Sequence, residues 1–169
     1  KTIDQKEING IIDYLAHKIT HQSWRPDIIV TMAKGGLIPS RLLAKKLGIN
    51  RILSYGISFY DDYDQKVDVP IVYQDLKSSK RLLMDKNILL VDDIADTGDS
   101  LIYCIDHLIE LNVGRDNILS LTIFSTRSHR AKTRSLDVIV YGLQSLYICS
   151  LFILFSPNDE GWQFIICSC

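Results

Sequence analysis

The chain has 169 residues, 47% of them hydrophobic, and a formal net charge of −1. That length supports one domain with a sizeable core. The near-neutral balance gives no global argument for nucleic-acid or membrane binding. All four cysteines fall after residue 103, so no disulfide framework staples the fold, and a reducing, cytoplasmic setting is expected. Cys167 and Cys169 have no partner pair and read as an inert tail rather than a metal site. The polar stretch from Lys1 to Glu7 does not read as a secretory leader, and the longest apolar run, Leu146 to Phe155, is too short to span a bilayer.

Taken in chain order, residues 4–21 predict an amphipathic helix. Ile8, Ile11, Ile12, Leu15, Ala16 and Ile19 recur at helical spacing, and Asp4 with Glu7 fits a capping box. His17 and His21 lie four apart, a spacing able to chelate a metal, but no Glu sits between them as in the metalloprotease motif. Surface or core-edge histidines are the expectation there. Trp24-Arg25-Pro26 ends the helix. Residues 27–32 (DIIVTM) read as a buried strand, Ala33-Lys34-Gly35-Gly36 as a turn, and residues 37–47 as a helix closed by Gly48. Residues 51–59 read as the next strand.

Residues 60–86 are polar and lack a clear period, with Ile71-Val72-Tyr73 as a short strand among them. Such an excursion reads as a mobile antiparallel lid. Strands follow at 87–91, 117–124 and 137–141, with a helix from 97 or 99 to 112. Strands alternating with helices predict an α/β fold built on an open, mostly parallel sheet with right-handed crossovers. Ligands bind such sheets at the carboxyl ends of the strands. The turns at 33–36 and 94–100 both fall there.

The stretch Ile88–Ser100, ILLVDDIADTGDS, carries the chemistry. A continuous apolar run marks a strand buried on both faces. The small polar loop behind it opens a helix, whose free N–H groups and dipole favour an anion. Thr97 and Ser100 add hydroxyl donors, and Gly98 permits close backbone approach. Asp92 and Asp93 stand beside this cradle as carboxylates suited to hydroxyls or Mg²⁺. Receiver domains also end an apolar strand in paired acids, but near their N-terminus and with a phosphoacceptor Asp and a Lys beyond; only 76 residues follow Asp93, and no strand ends in Asp at that distance.

Four apolar residues, two acids and then D-T-G-D-S resemble the phosphoribosyl pyrophosphate (PRPP) signature of type I phosphoribosyltransferases. The agreement runs from about Asp27 to Tyr141, and within the family it looks most like the short bacterial and archaeal xanthine–guanine/hypoxanthine enzymes. Ala33-Lys34-Gly35-Gly36-Leu37 matches the turn after the family's first strand, and Ser58-Phe59-Tyr60-Asp61 matches the element that opens its flexible loop.

The resemblance implies a single domain over 1–169, with a core at about 27–141, a lid at about 60–86 and a small hood from residues 4–21 and 142–169. It implies transfer of the phosphoribosyl group from PRPP to purine N9 with Mg²⁺, in purine salvage, by a dimer or tetramer. Asp92 and Asp93 would hold the ribose hydroxyls, with Asp93 also near Mg²⁺, directly or through water. Ala95, Asp96, Thr97, Gly98, Asp99 and Ser100 would wrap the 5′-phosphate, and Asp96 would face purine N7 as general acid or base. Lys34 and the Gly35 N–H match the pyrophosphate turn, where family members hold a non-proline cis peptide. Lys66 matches a basic lid residue, although a solvated loop lysine reads almost as well.

Three departures stand out. Phe59 occupies the lid hinge where the family commonly has Ser-Tyr. Thr126 stands where a lysine normally donates to the purine 6-oxo group, leaving Arg127 as the candidate donor. The apolar tail after Gly142 lacks the family's W-x-x-[FY]-P-W texture, and Trp162 and Phe164 are its stacking candidates. Alternatives therefore stay open: a PRPP-binding regulator on the same fold, or another acceptor base.

Overall fold

The computed structural model describes residues 4–60, 63, 65–95, 97–125, 138–140, 152–158 and 161–167. The chain opens with helix α1 (Gln5–Thr20), started by a reciprocal capping box between Asp4 and Glu7. Strand β1 (Ile28–Ala33) and helix α2 (Leu37–Leu47) follow. Gly48 ends α2 in the left-handed conformation, φ +70°, which costs a residue without a Cβ little. Strands β2 (Ile52–Tyr60) and β3 (Lys66–Gln74) come next, then a short helical turn, α3 (Lys80–Leu83). Strand β4 (Ile88–Ala95), helix α4 (Asp99–Glu110), and strands β5 (Ile118–Ser125) and β6 (Val138–Val140) complete the core. Strands β7 (Phe152–Asn158) and β8 (Gly161–Cys167) pair with each other as an antiparallel hairpin.

The core sheet has six strands in the order β3-β2-β1-β4-β5-β6. Every neighbouring pair is parallel except β2 with β3. β4 therefore runs between β1 and β5, with both edges hydrogen-bonded, which suits its unbroken Ile88-Leu89-Leu90-Val91 run. β3 is the antiparallel edge strand, the position that tolerates Pro70.

Two apolar layers flank the sheet. On one face α4 buries Leu101, Cys104, Ile105 and Leu108 against Ile28, Val30, Ile88 and Leu90. On the other, α1 and α2 cover Ile29, Leu89, Val91 and Leu121. α1 buries Ile8, Ile12, Leu15 and Ile19 in this second layer. Each such side chain contributes about 1.5–3 kcal/mol when fully buried. Among the described residues, no helix is long and apolar enough to cross a membrane.

Two predicted boundaries move. The opening strand continues past Val91 to Ala95, because the ladder to β5 runs on through Asp92↔Thr122, Ile94↔Phe124 and Ala95↔Ser125. The short strand expected at residues 71–73 is the nine-residue β3.

Candidate active site

β4 delivers the acid pair. Consecutive residues of a strand project to opposite faces. Asp92 shares its parity with Ile88 and Leu90, under α4, and Asp93 with Leu89 and Val91, under α2. Each carboxylate folds back on the chain: the Asp93 N–H donates to Asp92 Oδ1 and the Ile94 N–H to Asp93 Oδ1, both at 2.9 Å. Burial, then the neighbouring Asp93 charge, holds the Asp92 carboxyl well above the usual carboxylate range. Burial raises Asp93 as well, against hydrogen bonds that pull the other way. Two like charges in a desolvated site cannot both ionise freely.

The Asp92 side opens onto the loop before α4. A cleft of about 120 Å³ is lined by Asp92, Ile94, Ala95, Thr97, Gly98, Asp99, Ser100 and Leu101. Gly98 caps α4 at φ +80° and supplies no side chain, so the first turn of the helix carries no side-chain cap from it. The N–H groups of that turn lack intrahelical acceptors and face the positive end of the dipole. Thr97 donates to Asp99 Oδ2 at 2.8 Å, which orders the loop. Beneath the cleft, burial and the Asp92 charge push the Cys104 thiol up, so it stays protonated as a packing group.

The Asp93 side meets the turn after β1. The Ala33–Lys34 peptide bond is cis, the feature that the resemblance implies here. A Cβ added at Gly35 would collide with the Asp93 carboxylate. One added at Gly36 would lie 2.6 Å from the Val91 carbonyl oxygen and 2.7 Å from that of Met32. Lys34 is exposed at the head of this turn. The turn and the acid pair thus form one surface.

The structure brings together Lys34, Gly35, Asp92 and Asp93, with Ala95, Thr97, Gly98, Asp99 and Ser100 around the cleft. Lys66 opens β3 and Trp162 lies in β8. Asp96 and Arg127 lie outside the described residues. Sequence reasoning passed over Thr31 and Thr122, which sit opposite Val91 and Asp92 in the ladder. Both are fully buried, with hydroxyls that lack a partner among the described residues. A lone threonine near the carboxyl end of an apolar strand was their only signal. It missed Tyr73 too, whose hydroxyl donates to the Ala33 carbonyl at 2.9 Å.

The sequence profile of the phosphoribosyl transferase domain family matches residues 2–147. The chain belongs to this family. Among curated relatives, the hypoxanthine-guanine phosphoribosyltransferase of Schizosaccharomyces pombe is 33% identical over 118 residues, 60% of this chain and 56% of that protein. That of Saccharomyces cerevisiae is 29% identical over 120 residues, 63% of this chain and 53% of that protein. The chain spans about half the length of these curated relatives. A solved purine phosphoribosyltransferase from Pyrococcus horikoshii superposes with a TM-score of 0.64 at 25% identity, over 83% of this chain and 85% of that one. The six-stranded sheet and its flanking helices are thus a phosphoribosyltransferase fold, with the acid pair, the helix-capping loop and the turn after β1 at the carboxyl ends of its strands.

Proposed function

We propose that this phosphoribosyltransferase domain moves the 5-phosphoribosyl group of PRPP onto N9 of a 6-oxopurine (guanine, xanthine or hypoxanthine) and releases pyrophosphate, in purine salvage. The observation that carries the reading is the seating of Asp92 and Asp93 between an anion-accepting helix start and a glycine turn headed by a lysine. PRPP has the matching shape, with a 5′-phosphate, two ribose hydroxyls and a pyrophosphate on C1. The curated relatives, both hypoxanthine-guanine phosphoribosyltransferases, support the choice of base.

In this reading the 5′-phosphate enters the cleft before α4 and takes N–H and hydroxyl donors from Thr97 to Ser100. Asp92 and Asp93 accept the ribose hydroxyls, which fixes the sugar ring. As the C1–O bond breaks, positive charge grows on the sugar and negative charge on the pyrophosphate. The carboxylates stabilise the first, and Lys34 with the Gly35 N–H the second, as preorganised groups that need no reorganisation during the step. Asp96 takes or returns the proton at purine N7, and Lys66 closes over the pyrophosphate. Lid closure excludes the water that would hydrolyse PRPP. Arg127 and Trp162 are the base-side candidates.

The donor set fits Mg²⁺. Two hard carboxylates are pressed together in a desolvated place, and among the described residues no group of three His, Cys, Asp or Glu forms a closed cage. Mg²⁺ characteristically takes one or two carboxylates and fills its shell with water and substrate phosphates. Asp93, directly or through water, and Asp92 would hold it, and when bound it neutralises charge on the leaving group.

The experiment is to incubate the protein with PRPP and Mg²⁺ and, separately, guanine, xanthine, hypoxanthine, adenine or orotate, and to measure pyrophosphate. Release with one or more 6-oxopurines is expected. Tight PRPP binding without turnover on any base would overturn the enzyme reading in favour of a PRPP-binding regulator.

A further inference from the structure

β3 crosses from the lid back to the core and is fastened at its far end. Gln74 accepts from the Ser54 hydroxyl at 3.2 Å, and Leu76, just beyond, is buried in the layer under α4. Asp75 places a carboxylate oxygen 3.4 Å from His107 Nε2 on α4. Immediately before this anchor stands Tyr73. Its ring lies over Gly56 on β2, where an added Cβ would collide with it, and Gly56 pairs with Ala33 in the β1–β2 ladder. The hydroxyl reaches the Ala33 carbonyl at 2.9 Å.

We propose that Tyr73 is a positioning residue of the turn after β1: its hydroxyl, delivered across Gly56, holds the Ala33 carbonyl and so fixes the backbone that carries Lys34 and Gly35. Beyond the ladder pairing of Ala33 with Gly56, the turn's backbone bonds run from the Gly36 N–H to Met32 at 2.9 Å, from the Leu37 N–H to Lys34 at 3.3 Å and from the Ser40 N–H to Gly36 at 3.0 Å. These three lie within the segment and the helix it opens. Tyr73 ties it to a separate strand, and that strand returns from the lid. Burial raises the phenol above its ordinary value, so it remains a donor across the neutral range. The stated role of the turn, holding pyrophosphate, rests on the functional reading above; the bracing contact does not.

The test compares wild type with Tyr73→Phe, which removes one hydroxyl and keeps the ring. Amide hydrogen exchange at Gly36, whose N–H is bonded to Met32, is followed in the ligand-free protein, and calorimetry measures pyrophosphate with Mg²⁺ and ribose 5-phosphate separately. The expected result is about fivefold faster exchange at this amide and about fivefold weaker pyrophosphate binding, the scale of one net hydrogen bond. Ribose 5-phosphate, held at the opposite end of the site, should bind as before. Unchanged exchange, or equal weakening of both ligands, would overturn the positioning role. Wild-type protein that binds ribose 5-phosphate but no pyrophosphate would overturn the functional reading of the turn, while the exchange comparison still decides the brace. Gly56→Ala, which displaces the ring, should show the same selective loss of pyrophosphate.

Discussion

The carboxylates of Asp92 and Asp93 leave β4 from consecutive positions, and the first accepts the N–H of the second residue at 2.9 Å. They connect the two halves of the site, since Asp92 lines the cleft before α4 and Asp93 packs on Gly35. In the free protein that closeness is a liability. Ionising both groups at neutral pH costs energy that a cation or two ribose hydroxyls would offset.

The liability should be visible as stability against pH. Both carboxyls titrate above their ordinary value in the folded protein. Folded protein therefore binds more protons than unfolded chain between the ordinary carboxylate range and the raised value, and the pair's contribution to stability falls as pH rises through that window. Asp92→Asn keeps an oxygen to accept the Asp93 N–H and removes one charge. At pH 8 it should be more stable by about 1 kcal/mol, or roughly 2–4 °C in Tm. At pH 4, where the wild-type pair holds its proton, the gain should shrink towards zero. Thermal melts across this range decide it, and a constant offset at every pH would contradict the account.

Gly98 should separate phosphate binding from pyrophosphate binding. Its φ of +80° is a conformation that costs a residue with a Cβ about 1–2 kcal/mol. Gly98→Ala should lower stability by about that amount and turn the N–H groups of Asp99 and Ser100 away from the cleft. Ribose 5-phosphate affinity should drop about tenfold or more, and pyrophosphate affinity should hold, because Gly35 and Lys34 lie on another loop. Calorimetry with the two ligands reads this directly. Parallel losses would mean that the anion is not held at the start of α4.

How far the sequence reached depended on whether one segment or several decided an element. Residues 37–47 are helix as predicted, because Gly48 marks the end locally. The predicted strand stops at Val91 because the next two residues are charged, yet the ladder to β5 hydrogen-bonds the backbone regardless of side-chain polarity. β3 carries apolar residues at alternate positions, but as the edge strand it leaves Val69, Ile71 and Tyr73 exposed, so they mark no core face. The loop before α4 and the turn after β1 were legible, since glycines and acids at short spacing define them. The contact of Tyr73 with Ala33 was not, because it follows from register across three strands. The base side was not legible for a different reason: Thr126 and the apolar tail depart from the pattern that would have marked it.

Asp96 carries the prediction that separates chemistry from binding. It lies outside the described residues, and its proposed role as proton acceptor or donor at purine N7 rests on its place in the D-T-G-D-S motif. Asp96→Asn keeps size and one hydrogen-bonding oxygen and removes the basic carboxylate. Loss of a general acid or base costs about 10²–10⁴-fold in turnover. PRPP affinity should change by no more than about threefold, since Asp96 is one of several groups around the phosphate. Pre-steady-state turnover and PRPP calorimetry give the two numbers, and equal losses in both would contradict the acid–base role.

Gly35 and Gly36 are adjacent, and their alanine variants should fail in different ways. At Gly36 the new methyl would press on the carbonyl oxygens of Val91 and Met32, backbone atoms of two central strands that cannot move aside. Overpacking of that kind costs about 1–3 kcal/mol, so Gly36→Ala should lower Tm clearly. At Gly35 the atoms nearest the methyl are those of the Asp93 carboxylate, a side-chain end held by the Ile94 N–H. That carboxylate can turn aside at the cost of this one hydrogen bond, so Gly35→Ala should lower Tm less than Gly36→Ala. The displaced Asp93 then no longer lies where a ribose hydroxyl or Mg²⁺ needs it, and PRPP affinity should fall about tenfold or more. Melting curves paired with PRPP calorimetry on both variants test the contrast. A Gly35→Ala protein that binds PRPP normally would show that Asp93 and the turn after β1 do not act as one surface.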